Sequence, residues 1–104
     1  MKFRTNINRI IKLTPKRRKH IISTHPIMEL YLSKLKLVLI NPDEIRYSSY
    51  RYDVLLFYRY FDKIEGGKYL VAVVDIMIDA VLTAYLTHWI KIGVKYEKDQ
   101  KLQV

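Results

Sequence analysis

A chain of 104 residues without a single cysteine excludes a disulfide framework and a zinc–thiolate centre, and its length suits one domain. Nineteen Lys and Arg against ten Asp and Glu leave a formal charge of +9. That balance favours a polyanionic partner, either nucleic acid or an acidic protein, and the missing cysteines point to a reducing, cytoplasmic setting.

Residues 1–13 carry scattered basic residues and no long apolar run, so they do not read as a signal peptide. They are expected to form an N-terminal arm or an edge strand. Thr14-Pro15 is a helix start, because threonine caps free amides and proline is preset for the first helical position. The helix presents Ile21 and Ile22 for docking and stacks Arg17, His20 and Thr24 along one side. Pro26 ends it and opens a second, amphipathic helix to Ile40, with Met28, Leu32, Leu35 and Leu39 in one apolar row. Asn41-Pro42-Asp43 stops that helix.

Strand-forming segments follow at Glu44–Tyr52 and Asp53–Phe61, and Gly66-Gly67 supplies a loop. Lys68–Gly93 then reads as a hairpin reversing at Met77–Asp79, the centre of the sheet. Its second half alternates with period two. Ala80, Leu82, Ala84 and Leu86 form one row, and Val81, Thr83, Tyr85 and Thr87 the other. Asp75 and Asp79 would each cost about 2.5–3.5 kcal/mol at a bilayer centre, which argues against a membrane span here. The predicted fold class is α+β: two N-terminal helices (14–40) packed on one face of a four-stranded antiparallel sheet (44–93), with a polar tail at 94–104. Residues 1–104 form a single domain in this reading.

Metal and cofactor chemistry find no support in spacing. His20, His25 and His88 lack ligand spacing, Gly66-Gly67 is a hairpin turn rather than a phosphate loop, and no cofactor is expected. The remaining groups suit RNA cleavage by its own 2′-hydroxyl, which needs a base, an acid and cations for the crowded phosphate. His20, His25, Thr83 and Tyr85 are the candidate catalytic residues. Arg17, Arg46, Tyr58 and Lys91 are the candidate RNA or phosphate contacts. The same residues also suit a non-catalytic basic module that binds nucleic acid or an acidic protein.

Four stretches carry a resemblance: Leu13-Thr14-Pro15 through Arg17, His20-Ile21 and His25-Pro26; Asn41-Pro42-Asp43-Glu44-Ile45; Tyr69–Val74; and Leu82-Thr83-Ala84-Tyr85. In order and spacing they resemble the small phage- and mobile-element-borne nuclease domains of the barnase, EndoU, colicin and RelE-like group. The resemblance spans about residues 13–93. It implies a metal-independent ribonuclease, often a toxin, with RNA and an acidic inhibitor or antitoxin as partners and no membrane. It also implies that His20 is the helical catalytic histidine, Arg17 a phosphate contact, and Thr83 and Tyr85 the strand residues of the site. An acidic residue is expected directly after the His-Pro pair, where this chain has Ile27 and only later Glu29.

Overall fold

The computed structural model of the chain describes residues 1–90 and 95–96. Six strands form one mixed sheet that curls into a half-barrel, in the order β1-β2-β6-β5-β4-β3. They are β1 (Lys2–Arg4), β2 (Ile10–Lys12), β3 (Glu44–Tyr47), β4 (Val54–Phe61), β5 (Lys68–Asp75) and β6 (Ala80–Thr87). Two short helices, α1 (Pro15–Thr24) and α2 (Leu35–Ile40), and two 3₁₀ turns, Pro26–Leu30 and Leu32–Lys34, fill the space between β2 and β3.

The expected four-stranded antiparallel sheet is therefore wrong in strand number and in direction. Residues 1–13 take the edge-strand alternative rather than the arm, as two strands at one edge of the sheet folded into a hairpin. Thr5 closes it: its amide donates to the Arg9 carbonyl at 2.8 Å, and its hydroxyl donates to the same oxygen at 3.0 Å. Phe3 sits opposite Ile11, and both side chains enter the core. Lys12 then pairs with Ala80 in parallel, its amide donating to the Asp79 carbonyl at 2.9 Å. Three-residue strands are too short for an alternation to show in the sequence, where Ile7, Ile10 and Ile11 mimic helical spacing.

The second predicted helix is also corrected. Only Leu35–Ile40 is α-helical, and Pro26–Lys34 runs as two 3₁₀ turns joined at Tyr31. The Tyr31 amide bonds the Met28 carbonyl and the Lys34 amide bonds Tyr31, both with i→i+3 spacing. Met28, Leu32, Leu35 and Leu39 are buried as expected, because intervals of three and four suit either helix type.

The core lies between the helices and one sheet face. It joins Leu55, Phe57, Leu70, Ala72, Val74, Val81 and Ala84 to Phe3, Ile11, Ile21, Met28, Leu35, Val38 and Leu39. A bulge modifies the predicted rows of β6. Val74 pairs with Val81 but Val73 pairs with Thr83, so Leu82 is the extra residue. Val81 consequently shares the core face with Ala84, while Thr83 and Tyr85 take the other face. Two carboxylates anchor the β3–β4 connection, with Arg51 reaching Asp53 at 2.8 Å and Asp75 at 3.1 Å. Gly67 suits the β4–β5 turn because its φ of +105° is a backbone conformation that L side chains rarely adopt.

Among the described residues no helix is long and apolar enough to cross a membrane. Ile21 is the only fully buried side chain of α1 and attaches that helix to the core. Ile21→Ala is expected to lower unfolding free energy by about 2–5 kcal/mol, read as a lower denaturant midpoint at unchanged slope.

Candidate functional site

The sheet face turned away from the core carries the predicted strand residues. Cross-strand register sets them in rows: Arg46–Leu56–Val73–Thr83, then Glu44–Tyr58–Val71–Tyr85, then Tyr60–Tyr69–Thr87. Leu56, Tyr58 and Val71 form a buried floor, joined by Val73, Tyr69, Tyr85 and Ile90. Thr83 and Tyr85 are half-buried at its β6 side. This is an apolar, aromatic surface rimmed with hydroxyl groups.

His25 closes one side of it. Its ring centroid lies 5.7 Å from that of Tyr85, with the planes inclined at 35°. The contact follows from the path of the chain. β2 pairs with β6 only at Lys12–Ala80, and α1 then continues in the same direction along the vacated edge. Ten helical residues rise about 15 Å, matching the span of the five residues from Ala80 to Tyr85 in a strand. His25, at the C-cap of α1, thus arrives level with Tyr85.

Handedness decides which flank of α1 overlooks this face. In a strand that runs upward, an L-residue whose side chain faces the viewer directs its N–H and C=O to the right. Tyr58 faces the viewer, and its carbonyl accepts from the Asp43 amide at 2.7 Å, so β3 lies to the right and β6 and α1 to the left. Ile21 points right and back into the core. Arg17, Thr24 and His20 lie about 40°, 60° and 100° around a right-handed helix from Ile21, on the side toward the viewer. Arg17, Thr24 and His20 thus share one exposed flank of α1. His25, half-buried, is the histidine in contact with the strand row, and His20 lies fully on the surface about 140° around the helix from it.

Charge is distributed unevenly. Residues 1–40 contain ten of the nineteen Lys and Arg but one of the ten Asp and Glu, so they hold the whole formal charge of +9. α1 concentrates it in Lys16, Arg17, Arg18 and Lys19, with no acidic residue in the first turn. Among the described residues none of these four is in an ion pair. Cations at the positive end of a helix dipole are unfavourable until an anion joins them.

The other predicted contacts fare differently. Arg46 is on the right face, but Glu44 holds it through contacts of 3.0–3.2 Å, and Lys95 adds a contact to Glu44 at 3.8 Å. Tyr58 has no exposure and stands edge-on to Tyr69 at 6.2 Å, so it supports the floor instead of meeting a ligand. Lys91 lies outside the described residues. Sequence reasoning overlooked Tyr60, Tyr69 and Trp89. The first two flank the same face by register, a signal that needs the β4–β5 pairing to be known. Among the described residues no group of three His, Cys, Asp or Glu side chains is arranged to hold a metal ion.

No protein-family model, curated protein or solved structure matches this chain.

Burial, and secondarily the neighbouring Tyr58, pushes the Tyr85 hydroxyl above the usual phenol range. At neutral pH it is a protonated hydrogen-bond donor. A raised folded pKa means that the folded state keeps its proton longer than the unfolded chain. The resulting stability term is constant below about pH 10 and falls as pH rises through the interval above it. Tyr85→Phe is expected to lessen the alkaline loss of stability while leaving its pH dependence near neutrality unchanged. Urea midpoints measured at steps from pH 7 to strongly alkaline conditions test this.

Proposed function

We propose that this protein is a metal-independent endoribonuclease that works on the face between α1 and the Thr83–Tyr85 row of β6. The observation carrying the reading is the imidazole of His25 against Tyr85, at the end of a basic helix that also bears His20 and Arg17. Imidazole is the side chain whose ordinary pKa lets it take and return protons near neutrality. His25 at Tyr85 and His20 on the same helix are the chain's candidates for an acid and a base, and the unpaired cations of α1 would supply charge for the phosphorane.

The reaction follows from those groups. One imidazole takes the proton of a ribose 2′-hydroxyl, whose oxygen attacks the adjacent phosphorus. The P–O5′ bond breaks, and the other imidazole gives its proton to the departing 5′-oxygen. The products are a 2′,3′-cyclic phosphate and a 5′-hydroxyl. Arg17 offers a planar fork to the nonbridging oxygens. The Tyr85 and Thr83 hydroxyls donate to the same group. An acidic protein inhibitor would engage the same cations, which suits a toxin or phage effector.

The expected result is RNA cleavage in EDTA with cyclic-phosphate ends and a bell-shaped pH profile. His20→Ala and His25→Ala should each slow it about 10²-fold or more. On an RNA analogue whose leaving group needs no protonation, the variant lacking the acid should recover and the variant lacking the base should not. Salt-sensitive RNA binding by wild type without any cleavage would replace this reading with a non-catalytic basic module.

A further inference from the structure

Trp89 is the chain's single tryptophan, and it is 73% exposed. Its position is held from both sides. The Thr87 hydroxyl donates to its carbonyl oxygen at 3.3 Å, and the His88 ring stands 5.5 Å from the indole with planes at 41°. The next residue, Ile90, turns inward onto Leu56, Tyr58 and Val71. The backbone is thus pinned by an inward isoleucine while the large ring is left outside. An indole so exposed contributes little to the core, and its neighbours His88 and Thr87 are polar, unlike the contiguous apolar patch of a protein interface.

Trp89 also lies close in sequence to the candidate site. β6 carries Tyr85 and ends at Thr87, and Trp89 follows in the bend just beyond. Tyr85 and Thr87 are about 7 Å apart as alternate strand residues. α1 bears cations and imidazoles, β6 a phenol that meets His25, and the bend after β6 an exposed indole. Proteins that hold single-stranded nucleic acid use this combination, with charge along the backbone and aromatic rings under the bases.

We infer that Trp89 is a stacking platform for a base next to the cleaved phosphate, and that the substrate is single-stranded RNA. The inference rests on the RNA reading above but not on cleavage. In a duplex the bases stack on one another and offer no free face to an indole, so pairing abolishes this contact. The platform is indifferent to base identity, since every base has a π-face.

The test uses the full chain and a 2′-O-methyl oligoribonucleotide, which has no 2′-hydroxyl to attack and so cannot be cut. Its single strand should quench Trp89 fluorescence, whereas an abasic strand and inorganic polyphosphate should occupy the cations with little quenching. By anisotropy of labelled strands, Trp89→Ala should bind the single strand about tenfold more weakly. Its affinity for duplex and its salt slope should not change, and Trp89→Phe should recover part of the loss. Trp89 is exposed, so circular dichroism should show the alanine variant folded. Equal quenching by polyphosphate, or unchanged affinity in Trp89→Ala, overturns the inference. Quenching and the alanine loss without cleavage of unmodified RNA would support the platform and defeat only the nuclease reading. Cleavage by wild type with equal single-strand binding by Trp89→Ala would do the reverse.

Discussion

One parallel contact arranges the molecule. Lys12 meets Ala80, donates its amide to Asp79, and there the pairing of β2 with β6 stops. Had β2 continued, β6 would be an interior strand with both sides filled. Instead Thr14 and Pro15 turn the chain into a helix that packs against β6, with Ile21 sunk in the core and His25 at its end against Tyr85 on the second sheet face. The same bridge recruits the β1–β2 hairpin to the sheet and so brings further cations to the same side. Arg9 fastens that hairpin to the β5–β6 turn through Asp79 at 2.9 Å.

Scaffold and chemistry divide along the thickness of the sheet. The core face is aliphatic and covered by helices, and it contributes stability without accessible groups. On the opposite face the middle strands supply an apolar floor, and the proposed chemistry lies where β6 meets the end of α1. The Leu82 bulge lies between these roles. It absorbs one residue, so that Val81 stays in the core while Thr83 and Tyr85 face out, where strict alternation would have put all three on one face.

Parts of the candidate site's placement were legible because local chemistry and tertiary position agree there. Thr14-Pro15 caps α1 as read, with the Thr14 hydroxyl accepting from the Arg17 amide at 3.2 Å. Thr83 and Tyr85 share one strand face as their spacing implies. The arrangement of the sheet was not legible. The two N-terminal strands have three residues each and no repeating pattern, and parallel pairing between β2 and β6 joins segments about seventy residues apart, which no local signal encodes. Tyr58 shows a further limit. Its composition suggests a ligand contact, but period two in a middle strand says only which face it takes, and the neighbours that bury it come from β5 and β6. Arg46 similarly looks available until Glu44, two residues away on the same strand face, is seen to hold it.

The crowding of cations on residues 1–40 also bears on how firmly this half of the protein is folded. Lys16, Arg17, Arg18 and Lys19 repel one another and oppose the dipole of a helix only ten residues long. A polyanion that binds the folded form relieves that repulsion and, by mass action, deepens the native well as its concentration rises above Kd. The ligand then acts as a folding partner for α1. His20 and His25, seated on and just beyond that helix, would then be most ordered in the complex with the polyanion.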